Sequence, residues 1–362
     1  MESIIMQNLD SNFWKNKKVL LTGHTGFKGT WASVLLFKLG AKVYGLSLED
    51  NTDCTFYNEA NISKKFQVTK NIDINDLHHL EKFFKAVNPD VILHFAAQPL
   101  VLESYRNPIE TFKTNVIGTA NIFEAARNLN FLKSIICVTS DKCYKNNEQV
   151  WPYREIDPLG GIDPYSASKS CAEIVAASYW NSFFNKSEIK ISTVRSGNVI
   201  GGGDYSKNRI LTDINNCINE NKTLQLRNPN ATRPWQHVIE PIYGYLSLVE
   251  NHFSNKVKNF DSFNFGPELG SYKSVYELCM ETSNAWGTKL KIEIEKDNKY
   301  HESQKLSLDS SKVKDAINWR PRWNFNQTVT KTVKWYKNIL DGKNAYDLCL
   351  NDIETYEENI SG

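Results

Sequence analysis

Along the first half of the chain, short apolar runs that stop at glycine or small polar residues alternate with longer stretches of helical periodicity. "KKVLLTG" (17–23) predicts a short buried strand, and "FKGTWASVLLFKLG" a helix closed by Gly40. "AKVYGLSL" predicts a second strand, "INDLHHLEKFFKAVN" a helix with an Asp near its start, and "PDVILHFAA" another buried strand. "NPIETFKTNVIGTANIFEAARNLN" reads as one long helix and "SIICVTS" as a strand; Tyr165 to about Phe184 is helical, and "IKISTVRSGNVIG" is a strand again. Strands alternating with helices predict an α/β fold, a doubly wound parallel sheet of the Rossmann kind. After about residue 200 the alternation loosens into loop-rich, polar stretches: "GGGDYSKNR", "RNPNATRPWQHV" and "FNFGPELGSYKS". The expected organisation is a first domain over 13–198 and a smaller mixed α/β lobe over 199–340, with segments returning to the first domain. A frayed acidic tail is expected over 341–362.

Length supports this division, since 362 residues suit two lobes sharing a cleft. Charged residues are 23% and hydrophobic ones 41%, a soluble composition. The net charge of +2 is too small for a nucleic-acid footprint, so no nucleic-acid partner is expected. The seven cysteines (54, 137, 143, 171, 217, 279 and 349) are odd in number and form no C-x-x-C pair. This argues against a disulfide framework and a metal site, and a reducing cytoplasm is the expected compartment. The start, "MESIIMQNLDSNFWKNKK", has no apolar core of signal length. No run approaches the ~18 apolar residues of a membrane span, so no membrane association is expected.

The first chemical signal lies between the first strand and its helix. "TGHTGFKG" sets Gly23, Gly26 and Gly29 there, with Thr25 and Phe27 between them. Glycines allow the turn and a close approach to a pyrophosphate, to which the helix start presents free N–H groups. Gly29 lets the helix pack tightly on the sheet. The second signal is "DPYSASK", where Tyr165 and Lys169 stand one helical turn apart on one face. Such a pair also arises by chance, but here it follows a glycine loop and a strand ending in Thr-Ser. A phenol of pKa about 10 is too weak a base near neutrality, and a neighbouring ammonium lowers it. The third signal is "TSDK", where the strand "SIICV" ends in Thr139, Ser140, Asp141 and Lys142. A strand needs no such ending, although an Asp–Lys ion pair or an Asp-capped turn would also account for it.

These stretches, with "HFAAQPLV", "TNVIGT", "RSGNVIGGGD", "RPWQHV" and "WRPRW", resemble the extended short-chain dehydrogenase/reductase family in its nucleotide-sugar 4,6-dehydratase branch. The resemblance covers about residues 13–325. It implies a first domain that binds NAD. In the family an acid ends the second strand and holds the adenosine ribose; here Ser47 stands in that place, with Glu49 and Asp50 slightly further on. No Arg follows for a 2′-phosphate, which favours NAD over NADP. Asp73 and Ile74 are implied for the adenine, Ala96, Ala97 and Gln98 for the loop beside the cofactor, and Asn115 as a helix Asn near the active site. Ser140 and Tyr165 are implied to hold the substrate hydroxyl, and Lys169 the nicotinamide ribose.

The resemblance also implies a reaction: oxidation of a sugar at C4, loss of the C5 proton, departure of the C6 hydroxyl as water, and return of the hydride to C6. Such an enzyme needs one acid and one base beyond the C4 catalyst. Asp141 is the expected acid at the C6 oxygen and Lys142 the expected C5 base. Relatives acting on thymidine- or guanosine-linked sugars typically have Asp-Glu or similar at this pair. Lys142 therefore implies the cytidine branch, with CDP-glucose as substrate. For the sugar diphosphate, Arg233 and Asn198 are the first candidates, followed by Arg209 and His301. Gly201 to Gly203 either bring backbone close to substrate or make a turn, Trp235 is either a core or a base-stacking aromatic, and "WRPRW" reads as structural. One departure stands out: where the branch has Arg after "AAQPLV", this chain has Leu102 and then Glu103. A homodimer is implied, joined through the helices after "AAQPLV" and after Tyr165. The rival readings are another nucleotide-sugar dehydratase, a 4-epimerase, which would not use Asp141 and Lys142, and an inactive regulatory protein, which would not need Ser140, Tyr165 and Lys169.

Overall fold

The computed structural model describes residues 7–48, 56–206, 208–268, 271–295 and 304–358. Seven strands form the main sheet: β1 Lys18–Thr22, β2 Lys42–Ser47, β3 Val68–Asn71, β4 Val91–His94, β5 Ser134–Val138, β6 Lys190–Ser196 and β7 Phe260–Phe265. Their order is β7-β6-β5-β4-β1-β2-β3, with every neighbouring pair parallel. The helices that bear on the argument are α1 Phe27–Lys38, α2 Leu77–Val87, α3 Gly118–Ala126, α4 Pro164–Tyr179, α5 Ile239–Phe253, α6 Phe325–Leu340 and α7 Ala345–Glu358. Strand order reverses between β1 and β4, the place where an open α/β sheet opens a crevice at its carboxyl edge.

The strands are apolar at successive positions because each serves two cores, one per face. Val19 and Leu21, Val91 and Leu93, and Ile136 and Val138 enter one core with α1, α5, α6 and α7. Leu20, Ile92, Ile135 and Cys137 face the other way, into a core with α2, α3 and Ala176 of α4. A third cluster, including Ile200, Leu211, Ile214, Leu224, Trp235 and Leu278, lies after β6. Trp319 and Trp323 of "WRPRW" are buried, in keeping with a structural role.

Beneath the carboxyl edge of the sheet lies a buried ion pair. Glu173 of α4 and Arg195 of β6 are 3% and 2% exposed. Arg195 Nε and Nη2 donate to the two carboxylate oxygens at 2.9 and 2.8 Å. Thr139 and Thr193 donate their hydroxyls to the same carboxylate.

Four elements depart from the sequence expectation. Val68–Asn71 is an exposed edge strand with no apolar alternation to betray it. Phe260–Phe265, whose second half falls in the stretch expected to be loop-rich (263–274), is the last strand of the sheet, paired with β6. The long helix before β5 is interrupted: Pro108–Phe112 passes through a π turn, Lys113–Ile117, into α3. The stretch expected to fray is α7, which buries Cys349, Ile353 and Tyr356 in the first core. Tyr356 donates to Glu240 Oε2 at 2.5 Å, while the N–H groups of Arg322 and Trp323 donate to Oε1 at 2.9 and 2.7 Å.

Both buried carboxylates can be tested by unfolding. Burial raises Glu240 from an ordinary 4.5 to about 7, against the opposing hydrogen bonds. Between those values the folded chain holds a proton that the unfolded chain has released, so this group's contribution to stability falls as pH rises through the window. Glu240→Gln carries no such proton; its urea midpoint should gain on the wild type across that window, and parallel profiles would refute the assignment. Arg195→Met leaves Glu173 buried without its cation and should cost about 3–5 kcal/mol in urea unfolding. Replacing both residues by Met should recover most of that loss, and a double-variant loss equal to the sum of the two single-variant losses would show that the pair is not coupled.

Candidate active site

A cavity of about 940 Å³ runs along the carboxyl ends of β1, β4, β5 and β6 and on past Arg209 to Arg227 and Trp235. Its floor is the glycine loop. Gly23 has φ +72°, and a Cβ there would lie 2.8 Å from the backbone N of Ala96. At Gly29 a Cβ would lie 2.1 Å from the Gly23 carbonyl oxygen, so only glycine lets α1 sit this close to the loop. Gly26 differs: a Cβ would meet only the Gly23 oxygen, at 3.4 Å, so its backbone is bare toward the cavity. Gly26 also begins α1 without a side-chain cap. A bare backbone at an uncapped helix start is a fitting cradle for a dinucleotide diphosphate. Thr25, Phe27, Asp73, Ile74, Ala96 and Ala97 line the same cavity.

Ser47 lines it too, but its hydroxyl is engaged, 2.9 Å from His24 Nδ1 and 3.0 Å from Thr25 Oγ1. Burial pushes His24 down to about 4 and so keeps it neutral. Glu49 and Asp50 lie outside the described residues. Gln98 and Asn115 do not line the cavity; they stand behind its wall. Asn115 Oδ1 accepts from Gln98 N at 2.8 Å, and Asn115 Nδ2 donates to the Gln98 carbonyl at 3.1 Å and to Ser168 Oγ at 2.9 Å. Asn115 thus clamps the loop after β4 to α4.

Tyr165 and Lys169 lie in α4, which starts at Pro164 with Asp163 accepting from Ser166 N at 2.9 Å. Both residues are buried and line the cavity. Lys169 Nζ is 3.3 Å from the Val138 carbonyl, and burial lowers its pKa. Burial also pushes Tyr165 up to about 12, opposed by a hydrogen bond with Ser140 and the charge of Arg209. The lowering expected from the sequence is therefore reversed in the protein by itself, because desolvating a phenolate costs more than these neighbours return.

After β5 the chain makes a 3₁₀ turn, Asp141–Cys143, whose cap is Ser140, accepting from Lys142 N at 3.2 Å. The Ser140 hydroxyl donates to Asp141 Oδ1 at 3.0 Å. Asp141 is 3% exposed, and its Oδ2 has no hydrogen-bond partner. Burial raises the Asp141 pKa, with Lys142, Ser140, Arg233 and Lys28 opposing. Lys142 lines the cavity beside it.

On the far side, Asn198, Arg209 and Arg233 all line the cavity. Arg233 is buried and donates to the Thr232 carbonyl at 2.9 Å. Arg209 has its Nε buried without a hydrogen-bond partner. His301 lies outside the described residues. Trp235 is buried in the third cluster, donating to the Lys273 carbonyl at 2.9 Å, and also reaches the cavity wall. The glycines at 202 and 203 serve packing: a Cβ on Gly202 would enter the Trp335 ring, and Gly203 has φ +86°. Leu102 forms an apolar wall with Leu100 and Val101, where the expected Arg would have brought charge. One site residue was missed in the sequence: Lys28, in the first turn of α1, reaches Ser196 Oγ at 2.8 Å. The available signal was a cation at the positive end of a helix dipole, where it is electrostatically disfavoured. Among the described residues, no group of three or more His, Cys, Asp or Glu could hold a metal, and no helix is long and apolar enough to cross a membrane.

Known proteins share this fold and part of this sequence. A family model described as GDP-mannose 4,6 dehydratase matches residues 20–332. CDP-glucose 4,6-dehydratase of Salmonella typhimurium is 39% identical over 96% of this chain and 98% of its own length. The dTDP-D-glucose 4,6-dehydratase of Mus musculus is 26% identical over 91% of each chain. Among solved structures, dTDP-glucose 4,6-dehydratase from Streptomyces venezuelae, with NAD bound, superposes with a TM-score of 0.78 at 22% identity, over 89% of this chain and 97% of that one. UDP-glucose 4-epimerase from Thermotoga maritima gives 0.79 at 22% identity, over 89% and 99%. At that identity the structures establish the shared fold, whereas the family match extends over most of the sequence. The chain belongs to the GDP-mannose 4,6 dehydratase family.

Proposed function

We propose that this protein is an NAD-dependent hydro-lyase that converts CDP-glucose to CDP-4-keto-6-deoxyglucose. The observation that carries the reading is Asp141: a buried carboxyl with one unpartnered oxygen, joined through Ser140 to the Tyr165 phenol. The 39% identity to a CDP-glucose 4,6-dehydratase supports the choice of substrate. The residues of the glycine loop, with Asp73, Ile74 and Lys169, would hold the dinucleotide. NAD, when bound, supplies a hydride acceptor at sugar C4 that returns the hydride to C6, and its positive ring favours the Tyr165 phenolate.

Tyr165 takes the proton of the C4 hydroxyl, and Ser140 orients that hydroxyl. Lys142 removes the C5 proton, made acidic by the neighbouring ketone, and later restores it. Asp141, whose pKa burial raises, donates a proton to the C6 oxygen, which leaves as water. The proton gained by Tyr165 equals the one lost by Asp141, and Ser140 touches both, so the site can reset itself without a net proton change. A 4-epimerase would leave Asp141 and Lys142 idle. Asn198, Arg209 and Arg233 are proposed to hold the sugar nucleotide, with Leu102 as an apolar neighbour. A homodimer through the helices around Ile109, Ile117, Ile174 and Phe183, all exposed, fits the same reading.

The direct test is incubation of purified protein with CDP-glucose and no added NAD, followed by alkali to develop the chromophore of a 4-keto-6-deoxy sugar. Product should form, and turnover that required stoichiometric NAD would refute internal hydride return. Variants then separate the steps. Tyr165→Phe should lose roughly 10²–10⁴ in rate, with no reduced-nicotinamide absorbance on mixing. Asp141→Asn and Lys142→Met should show that absorbance while product falls sharply, and Lys142→Met should also slow solvent deuterium entry at C5. A structural ion pair predicts instead that oxidation and water loss decline together, or not at all.

A further inference from the structure

The proposed reaction assigns no task to Lys28. Its side chain leaves the first turn of α1 and crosses to the end of β6, where Nζ donates to Ser196 Oγ at 2.8 Å. Like Gly26, Asn198 and Arg209, it lines the cavity. The charged groups that act on it are Arg209 and Lys169, which repel its ammonium, and Asp141 and Asp204, which attract it. Asp141 in turn faces Lys142 and Arg233. Lys28, Lys142, Lys169, Arg209 and Arg233 thus share this stretch of the cavity wall with the carboxylates Asp141 and Asp204. Asp73, Asp163, Asp213 and Glu295 also line the cavity but are not among the principal charges acting on Lys28. Counting Lys28 itself, three cations (Lys28, Lys169 and Arg209) therefore meet two acids (Asp141 and Asp204) where the ammonium is half-buried, an excess of positive charge that an anion would balance. Arg209, in the wall of the same cavity, has its Nε buried without a hydrogen-bond partner.

We propose that Lys28 is a phosphate ligand, gripping a diphosphate group together with Arg209 between the glycine loop and Asn198. The diphosphate could be that of the sugar nucleotide, which rests on the function proposed above, or that of the dinucleotide. Burial and the two neighbouring cations push Lys28 down to about 7. An arriving anion reverses that balance and raises it. Binding near pH 8 therefore draws a proton onto Lys28. Below about pH 6, where the amine is already charged, the uptake disappears.

The experiment is calorimetric titration of CDP into the protein as purified, near pH 8, in two buffers of different ionisation enthalpy. The wild type should take up a substantial fraction of a proton. If the sugar nucleotide supplies the diphosphate, Lys28→Met should take up none and bind roughly 10- to 100-fold more weakly, as for loss of one charged hydrogen bond. Lys28→Arg should recover most of the affinity without proton uptake, because a guanidinium stays charged. Nicotinamide content of each purified protein, read after denaturation, identifies the diphosphate. Weaker CDP binding at full nicotinamide content assigns Lys28 to the sugar nucleotide; lost nicotinamide with unchanged CDP binding assigns it to the dinucleotide. Lys28→Met matching the wild type in both, with proton uptake retained, overturns the proposal. UDP and dTDP run in parallel keep the two ideas apart: a wrong cytidine reading shows in the wild type alone, a wrong role for Lys28 in the ratio of variant to wild type.

Discussion

The arrangement of the active site depends on one buried contact, the two-point ion pair between Glu173 and Arg195. Glu173 lies one turn beyond Lys169 on α4, and Arg195 lies in β6. Thr139, the residue before Ser140, donates to the same carboxylate and so fixes the end of β5 against α4. Arg195 also donates to Tyr144 Oη at 2.8 Å; that hydroxyl donates to Asn264 of β7, whose Nδ2 donates to the carbonyls of Tyr153 and Asp309. The spacing of Ser140 from Tyr165 therefore rests on a continuous polar network. A buried pair of this kind adds little net stability over an apolar replacement. Its value here is in aligning α4, β5 and β6, because any other alignment would strand a charge.

Burial acts on the reactive groups in one consistent sense. It raises Asp141 and Tyr165 and lowers Lys169 and Lys28, each toward its neutral form. In the proposed mechanism the neutral form of Asp141 is the useful one, since an acid must hold its proton until the leaving oxygen arrives. For Tyr165 as the proposed base the neutral form is the wrong one, and a cationic neighbour must be added before the phenol can act. Ligand charge would then complete the site, as bound anions and cations offset the desolvation that holds these groups neutral.

Much of the site was legible because its signals are local. Gly23, Gly26 and Gly29 sit at the spacing of a strand-to-helix turn, Tyr165 and Lys169 at one helical turn, and Ser140 to Lys142 at a strand end. What local signals did not reveal was how neighbours would use them. Asn115 turned out to clamp a loop to α4, behind the cavity wall. Leu102 became part of an apolar wall, and the Tyr165 phenol is raised by its surroundings.

The sequence by itself determined the elements whose pattern is set by short-range periodicity. β1, β4 and β5 are apolar on both faces, which demands helices above and below and hence a doubly wound sheet. The tertiary structure decided the rest. "FDSFNF" becomes β7 because β6 offers it a parallel edge. The acidic C-terminal segment becomes α7 because Cys349, Ile353 and Tyr356 find a core and Glu240 accepts the hydrogen bond of the Tyr356 phenol. Lys28 meets Arg209 and Asp204, and Glu173 meets Arg195, across separations that no local period encodes. Periodicity is a property of the chain within a few turns; which charges and surfaces finally meet depends on how completed elements pack.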